Sequence, residues 1–250
     1  MPVGVLEESV KSFPTDGFLL VPSILDPSVA RNAVDQASEL LAEIEALGEP
    51  QPDVQYESAI DPRTERHAIR RVSRILDRRP AFRAVATHRN VVQWMRALLG
   101  DDECELCLNR HNMMIVKPAR FGSENVWHAD AGSWLNDRLV SFMYLLDPAT
   151  RENGCLEVVP GSHRFGIPHQ GEGLLDLTSD ENARWVEKGI AVEMNPGDGL
   201  FFHSGLLHYS AANHSSQSRR NLIFAYAPSH AKDADEREDR LQTMALRVEQ

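Results

Sequence analysis

The 250-residue sequence predicts a mainly β protein with flanking helices, and three observations support this fold class. From about residue 104 onward, short apolar runs are separated by turn signals, which is typical of a β-sandwich or barrel. Apolar residues at helical spacing lie mainly in the first hundred residues. Because helical patterns precede strand patterns, parallel βαβ repeats are disfavoured. We expect one domain over 1–250, with a helical part at about 1–103, a β core at about 104–228 and a charged C-terminal helix or tail at 229–250.

The N-terminal part begins with a turn and a short strand. Within 13–25, Asp16-Gly17 is a turn signal and the apolar residues after it favour a strand. Asp26 suits a helix N-cap, and Pro27 suits the first helical position. The helix that starts there has apolar residues at helical spacing, namely Ala30, Val34, Ala37, Leu41 and Ile44.

Gly48 is expected to end this helix, and a second helix is predicted over 80–99 with Gly100 as its stop. Its inward residues are predicted to be Val85, Val92, Met95 and Leu99. Between the helices, 63–79 is rich in arginine. This segment is interpreted either as a solvated helix face paired with acidic residues or as a basic cluster that attracts an anionic substrate.

The second half supplies the strands. The apolar runs lie at 104–116, 139–146, 155–159, 190–194, 199–203 and 221–227. The tail 231–250 is highly charged, and its residues Leu241, Met244 and Val248 follow a helical spacing, so a final helix is predicted there.

Composition excludes several classes of partner. The formal net charge of −11 provides no basic footprint, so neither nucleic-acid nor anionic-membrane binding is expected. No stretch reaches the ~20 uninterrupted apolar residues of a membrane span, and the acidic start is unlike a signal peptide. Three cysteines do not form a disulfide framework, which fits a reducing cytoplasm. We expect a cytoplasmic monomer or homodimer.

The pair Cys104 and Cys107 forms a lone CxxC motif. A redox or zinc half-site is one interpretation. The favoured one is a structural pair at the start of a strand, where a spacing of three places the side chains on opposite faces.

His128 and Asp130 are the strongest candidates for chemistry. Residues i and i+2 of a strand share a face, so the imidazole and the carboxylate can converge on one ion. His208 lies 208 − 130 = 78 residues after Asp130 and is the favoured third ligand. His203 competes with it, but an odd spacing of five places the two on opposite faces of a regular strand. Two histidines and one carboxylate are the facial triad of non-haem Fe(II) oxygenases.

Arg219 lies 219 − 208 = 11 residues after His208. Its planar guanidinium suits bidentate recognition of a carboxylate, as a dicarboxylate co-substrate requires. Arg220 is adjacent and would point to the opposite side of a strand.

Four stretches together resemble the phytanoyl-CoA dioxygenase-like family of Fe(II)- and 2-oxoglutarate-dependent oxygenases. They are "DGFLLVP" at 16–22, "WHAD" at 127–130, "ENGCLEVVPGSHR" at 152–164 and "PGDGLFFHSGLLHYSAANHSSQSRR" at 196–220. The resemblance implies a double-stranded β-helix (jelly-roll, cupin-like) core. It also implies Fe(II), 2-oxoglutarate and O2 as cofactor and co-substrates.

The resemblance also implies roles for individual residues. His128, Asp130 and His208 would be the catalytic iron ligands. The 2-oxoglutarate site would contain Arg219, Arg71, Met113 and Ser210. One departure is Tyr209, which stands where the family usually has glycine and would reshape the pocket roof.

The implied reaction is hydroxylation of a small molecule such as a secondary metabolite, an amino-acid-like or a lipid-like compound. The retained Asp130 argues against halogenation, because related halogenases have a small residue there. Desaturation, cyclisation or epimerisation by the same cofactor chemistry remain alternatives, as does, more remotely, a non-catalytic jelly-roll binding protein.

Substrate contacts are predicted from the loops at 49–64, 119–135 and 165–188. Trp127 and Trp134 are candidates for stacking on substrate, with packing at a barrel rim as the equal alternative. His111 is a candidate pocket residue because it alternates with Met113, and a structural histidine is the equal alternative.

Overall fold

Two antiparallel sheets form the core of the protein, seen in a computed structural model that describes residues 3–109, 111–130, 139–165, 169–170, 174–175, 180–229, 231 and 241–246. The helices are α1 (Val3–Asp16), α2 (Pro27–Leu47), α3 (Ile75–Arg78), α4 (Pro80–Ala86), α5 (Arg89–Leu99) and α6 (Asp180–Val186), with a 3₁₀ turn at Ser162–Arg164. Among the described helices, none has the length and apolar character needed to cross a membrane.

Along the second half of the chain, the strands from β5 to β8 and from β11 to β14 alternate between the two sheets. They are β1 (Phe18–Val21), β2 (Val54–Asp61), β3 (Arg66–Ser73), β4 (Glu105–Cys107), β5 (Met113–Lys117), β6 (Asn125–His128), β7 (Val140–Leu145), β8 (Leu156–Val158), β9 (His169–Gln170), β10 (Leu174–Leu175), β11 (Ile190–Val192), β12 (Gly199–His203), β13 (His208–Ser210), β14 (Arg219–Ala227) and β15 (Thr243–Ala245).

The larger sheet, here called the major sheet, has the order β1-β12-β7-β14-β5-β3-β2, with β4 paired to β14 and β15 paired to β4. The minor sheet has the order β11-β8-β13-β6-β10-β9. This arrangement confirms the predicted jelly-roll class with helices outside it.

Two apolar clusters explain why the sheets and helices stack in this way. One cluster lies between the helices and the outer face of the major sheet, with Ala37 and Leu40 of α2 near Phe142 and Phe201. The second lies between the two sheets and joins Met143 and Phe202 to residues such as Val158. The major sheet therefore buries both faces, and its inner face is opposite the minor sheet.

The helical predictions were partly confirmed. α2 begins at Pro27 after the N-cap residue Asp26, and Gly48 closes it with φ of 71°. The helix predicted over 80–99 is divided into α4 and α5, because Thr87 ends the first and His88 caps the second through its ring nitrogen. Gly100 ends α5 in the left-handed region, with φ of 63°. Helix α1 was not predicted.

The prediction of a helix face for the arginine-rich segment was wrong, because β3 pairs with β2 as a hairpin. A register shift between Gln55 and Tyr56 inserts an additional residue into β3, and a bulge interrupts the alternation of the side chains. Ile69 and Val72 are therefore both buried at a spacing of three, which imitates a helical pattern.

The predicted C-terminal helix was also wrong within the described residues, where 243–245 form β15. This strand covers the otherwise open edge of β4, and Leu241 and Leu246 beside it are buried. Val248 lies outside the described residues. Cys104 and Cys107 are buried in different apolar clusters, as expected for a structural pair on opposite faces.

Candidate active site

His128 and His208 lie directly opposite each other on the neighbouring strands β6 and β13. Their ring centroids are 4.1 Å apart. Asp130 follows His128 by two residues, and one ligand atom from each of the three side chains lies within 4.8 Å of the others. The structure therefore brings together the three residues that the sequence predicts as a metal site.

Backbone carbonyl groups orient both imidazoles in the same way. The Nδ1 atom of His128 lies 2.7 Å from the carbonyl oxygen of Val126, and that of His208 lies 2.9 Å from the carbonyl oxygen of Leu206. Because a carbonyl oxygen only accepts, Nδ1 carries the proton and donates. Each Nε2 is then the unprotonated nitrogen that can bind a metal, and the Nε2 atoms lie 3.7 and 3.9 Å from Asp130 Oδ1. The Nε2 of His128 also lies 3.5 Å from the side-chain amide nitrogen of Asn125.

The Asp130 carboxylate is buried, and its Oδ2 atom has no hydrogen-bond partner among the described residues. Burial acts to raise its pKa, but His111, His208 and His128 outweigh that effect and hold the pKa below the usual range. The pKa of His208 is lowered to about 4, first by burial and then by His128. Neutral imidazoles beside an ionised carboxylate are the donor set that a divalent metal ion requires.

His203 lies apart from this group. The chain turns at 204–205 between β12 and β13, so His203 ends a strand of the major sheet while His208 begins a strand of the minor sheet. The ring of His203 instead packs against His163, with centroids 4.8 Å apart. The structure places His208, and not His203, beside His128 and Asp130. The reason differs from the predicted one, because the two histidines lie in different sheets and not on opposite faces of one strand.

Arg219 begins β14 and is almost completely buried, with 2% of its surface exposed. It donates through Nη1 to the carbonyl oxygen of Gly154 and through Nη2 to Asn221 Oδ1 at 2.5 Å. Its Nε has no partner in the described part of the chain. Burial lowers the pKa of this guanidinium to about 10. Arg219 shares its face of β14 with Ile223, which packs into the cluster between the sheets.

Comparison with known proteins identifies the family. The family model described as "Phytanoyl-CoA dioxygenase (PhyH)" matches residues 13–221. The chain belongs to the PhyH family. Membership confirms the enzyme class that the resemblance implies, a 2-oxoglutarate-dependent dioxygenase.

Individual relatives agree with this membership. An ectoine dioxygenase from Nocardia farcinica is 26% identical over 243 residues, which cover 89% of this chain and 78% of that protein. The crystal structure of EctD from S. alaskensis with bound Fe shares 23% identity, has a TM-score of 0.77 and covers 97% of this chain and 86% of that one. The epimerase SnoN, in complex with Fe3+, alpha ketoglutarate and nogalamycin RO, shares 20% identity with a TM-score of 0.73, covering 90% and 84%.

Two other residues that the resemblance assigns to the 2-oxoglutarate site, Arg71 and Met113, share the inner face of the major sheet with Arg219. Arg71 of β3 is opposite Ile115 of β5, which is opposite Asn221 of β14. Met113 is likewise opposite Ile223, so it faces the same side. Burial, and secondarily Arg70, lowers the pKa of Arg71.

Ser210 projects from the minor sheet toward the same space, because it is two residues after His208 on β13. Lys117, which sequence reasoning missed, holds this strand end in place. Its ammonium group donates to the carbonyl oxygens of Ser123, Ser210 and Ala211 at 2.7, 3.3 and 2.7 Å. The only sequence signal for Lys117 is that it is two residues after Ile115 and four after Met113, on the same face of a strand.

Trp127 and Tyr209 lie on the opposite face from the triad. Their rings stack with centroids 5.2 Å apart, and the Tyr209 hydroxyl donates to Glu124 at 3.0 Å. The stacking agrees with the packing alternative for Trp127. Tyr209 does not reshape the pocket roof as expected, because its side chain points away from the side of β13 that carries His208. Trp134 lies outside the described residues. His111 contacts Asp130, with its Nε2 at 3.4 Å from Oδ1.

Proposed function

We propose that this PhyH protein hydroxylates an unactivated C–H bond of a small molecule, with Fe(II) as cofactor and 2-oxoglutarate and O2 as co-substrates. The observation that carries the proposal is the convergence of His128, Asp130 and His208 within 4.8 Å. Two imidazole nitrogens and one carboxylate oxygen form a facial donor set that leaves positions open for co-substrates. The Oδ2 of Asp130 has no hydrogen-bond partner within the described ranges, which is a further sign that this cluster has room for a cation.

The three triad residues would have distinct tasks. His128, Asp130 and His208 would hold the metal, and bound iron supplies the O2-dependent oxidation that converts 2-oxoglutarate to succinate and CO2. Ionised Asp130 supplies the negative charge of the donor set, while the carbonyl oxygens of Val126 and Leu206 keep both imidazoles in the tautomer that binds a metal.

Arg219 would bind the far carboxylate of 2-oxoglutarate. The basis is its burial between the sheets and its fixed orientation, since Gly154 and Asn221 each accept one of its N–H groups. A guanidinium held in this way loses little additional conformational freedom when it binds a carboxylate. Ser210, Arg71 and Met113 would line the same co-substrate site, and Lys117 would fix the strand that carries Ser210.

A rearrangement catalysed with the same cofactors is the second candidate. Structural neighbours of this chain include the epimerase SnoN and the carbocyclase SnoK, with TM-scores of 0.73 and 0.69. The triad serves either outcome, because the position of the substrate C–H bond and its neighbouring groups determines the fate of the substrate after hydrogen abstraction. One relative is named an ectoine dioxygenase, and ectoine is a small molecule. We propose a substrate of comparable size for this chain.

The test is formation of succinate from 2-oxoglutarate by purified protein with Fe(II) in air, measured with a panel of small molecules and completed by mass spectrometry of the product. A mass gain of one oxygen atom identifies hydroxylation. A loss of two hydrogens identifies desaturation or oxidative cyclisation, and an unchanged mass with altered stereochemistry identifies epimerisation.

Variants separate the metal site from the rest of the protein. His128→Ala and Asp130→Ala are expected to lose more succinate formation than the about 10- to 100-fold that loss of a ligand's supporting partner typically causes, whereas His214→Ala, at an exposed position, should keep the wild-type rate. Retention of activity in His128→Ala would contradict the ligand assignment. No iron binding, and no turnover with any compound, would contradict the proposed enzymatic function as a whole.

A further inference from the structure

A third histidine, His111, approaches the Asp130 carboxylate from outside the triad. Its Nε2 lies 3.4 Å from Asp130 Oδ1, the same oxygen that faces His128 and His208. His111 itself is not part of the group of ligand atoms that converge within 4.8 Å. It therefore contacts a ligand of the metal site without belonging to that group.

The backbone at His111 adopts a conformation that side chains rarely take. Its φ is +39°, in the left-handed region, two residues before β5 begins at Met113. Such a conformation is unfavourable for a residue with a Cβ and persists where the surrounding structure holds it. This conformation places the ring where it touches Asp130, instead of continuing the regular alternation of the strand.

Ser141 fixes the other side of the same ring. Its hydroxyl lies 2.9 Å from His111 Nδ1, and the residue is 1% exposed on the inner face of β7. Because the Asp130 carboxylate only accepts hydrogen bonds, His111 Nε2 must carry a proton to donate to it. In the neutral ring, Nδ1 is then the acceptor, and the Ser141 hydroxyl donates to it.

The major sheet leaves space for this contact. Strand β14 lies between β7 and β5, and its residue opposite Ser141 is Ala225. A methyl group there allows the imidazole and the hydroxyl to meet across the strand. The chain Ser141–His111–Asp130 therefore runs from the inner face of the major sheet to the metal site on the minor sheet.

We infer that His111 and Ser141 form a positioning relay that orients the Asp130 carboxylate for metal binding. The inference rests on the proposed function, because it assigns a supporting role at the same site. It gives His111 a role distinct from substrate contact, namely donation of one hydrogen bond to the coordinating oxygen. Partners that hydrogen-bond to a metal ligand typically change metal affinity by about 10- to 100-fold when they are removed.

The test measures metal affinity directly, without turnover. Co(II), which is stable in air, is titrated into the metal-free protein, and its ligand-field absorption reports binding. His111→Leu is expected to weaken Co(II) binding by about 10- to 100-fold. Ser141→Ala should weaken it by a smaller factor, and His111→Gln should recover most of the affinity because its amide can donate to Asp130 and accept from Ser141. His214→Leu is the matched control at an exposed histidine and should bind as the wild type does.

The double variant His111→Leu/Ser141→Ala is the decisive comparison. If Ser141 acts through His111, the double variant binds Co(II) no more weakly than His111→Leu alone. Wild-type Co(II) affinity in His111→Leu would overturn the inference. So would a double variant whose loss of Co(II) affinity equals the product of the two single-variant losses. A higher KM for substrate with unchanged Co(II) affinity would also overturn it and would assign His111 to substrate contact.

Two further measurements keep the outcomes distinct. Thermal unfolding of the metal-free variants shows whether they fold, and if His111→Leu does not, the comparison of Ser141→Ala with the wild type decides the question. His128→Ala is titrated in parallel. If it binds Co(II) as the wild type does, the proposed function fails, whereas loss in His128→Ala together with wild-type binding in His111→Leu overturns the relay alone.

Discussion

Arg219 carries a positive charge into the interior of the protein, where it is 2% exposed and lies among backbone and amide groups. Burial of a charge is unfavourable unless hydrogen bonds and an opposite charge compensate for it. Two of its nitrogens are satisfied by neutral acceptors, and Nε has no partner in the described residues. No carboxylate of the described residues forms an ion pair with Arg219, and the carboxylate of the proposed co-substrate would complete such a pair.

The first prediction concerns the guanidinium of Arg219. Arg219→Lys keeps the charge but removes the planar fork, so bidentate contact with a carboxylate is lost. We expect KM for 2-oxoglutarate to rise about 10- to 100-fold, equivalent to about 1.4–2.7 kcal/mol. Steady-state succinate formation at varied 2-oxoglutarate concentration measures this effect.

Arg220→Lys is the control for this substitution. Arg220 is the neighbouring residue, points to the opposite face and pairs with Asp147 at 2.7 Å. Its replacement should leave KM for 2-oxoglutarate unchanged. Equal effects of the two substitutions would contradict the assignment of Arg219.

The second prediction concerns Lys117, whose pKa is lowered to about 7, first by burial and then by Arg219. In the unfolded chain a lysine titrates near pH 10.4, so between about pH 7 and about pH 10 the unfolded state binds more protons than the folded state. The contribution of Lys117 to the free energy of unfolding therefore increases with pH between about pH 7 and about pH 10. Compared with Lys117→Met, the wild type should gain about 2 kcal/mol of unfolding free energy between about pH 7 and about pH 9.

Urea unfolding of both proteins across this range tests the prediction about Lys117. The same substitution at exposed Lys188 controls for the loss of a surface charge. A stability difference between the wild type and Lys117→Met that stays constant with pH would show that the buried ammonium group keeps its proton throughout.

At the residue scale, the sequence predicted what depends on local spacing. The spacing of two residues predicted that His128 and Asp130 converge, although β6 ends at His128 and Asp130 lies in the turn that follows it. Lys117, Ser141 and the contact of His111 with Asp130 were not predicted, because they depend on cross-strand register. Which residue of β5 or β7 lies beside which residue of β14 is set by turn lengths and packing, and no local pattern in the sequence encodes it.

The turn at 152–154 contacts Arg219, the residue proposed to bind 2-oxoglutarate. Gly154 has φ of +75°, its carbonyl accepts from Arg219, and an added Cβ would lie 2.1 Å from the carbonyl oxygen of Ala211. Both the backbone conformation and the close approach of a second backbone segment therefore require glycine. The turn fixes the guanidinium by presenting this carbonyl.

The third prediction follows from this turn. Gly154→Ala should destabilise the protein by more than the ~1–2 kcal/mol of left-handed strain alone and should raise KM for 2-oxoglutarate, because the turn must shift away from Ala211. Gly197→Ala is the matched control, since Gly197 has φ of +92° but no atom lies within 4 Å of the added Cβ. Chemical unfolding and steady-state kinetics of both variants measure the two effects. Equal losses in both variants would show that strain, and not the contact with Ala211, limits this position.

At the element scale, strong local signals were predicted correctly. Helix α2 was found because Pro27 and Gly48 mark its ends, and β7, β8, β11, β12 and β14 were found from apolar runs between turn residues. The run 104–116 is divided into β4 and β5, and the short strands β6 and β13 were not among the predicted runs. The β2–β3 hairpin was missed because a bulge places two buried residues three apart, and β15 was missed because its pairing with β4 depends on a distant edge. Both errors arise where tertiary contacts override local pattern.

At the scale of the whole molecule, the proposed active site lies across the two sheets. The metal-ligand candidates His128 and His208 belong to the minor sheet, whereas Arg219 and Arg71 belong to the major sheet. A co-substrate that coordinates the metal at one end and contacts Arg219 at the other would connect the sheets. Its binding is therefore expected to stabilise the assembled fold and not only the local site.

The last prediction concerns this connection. Anything that binds only the folded state stabilises it, by about 2.7 kcal/mol at a hundredfold excess over Kd. For a domain of this size, Co(II) and 2-oxoglutarate together should raise the unfolding temperature by about 5–10 °C, and a chelator should reverse the increase. Arg219→Lys should keep the increase in unfolding temperature due to Co(II) and lose most of the increase due to 2-oxoglutarate. Asp130→Ala should lose both increases, since the metal anchors the co-substrate. Differential scanning fluorimetry resolves these contributions. Should 2-oxoglutarate stabilise Asp130→Ala as strongly as the wild type, its binding would not depend on the metal, and the proposed bridge between the sheets would be wrong.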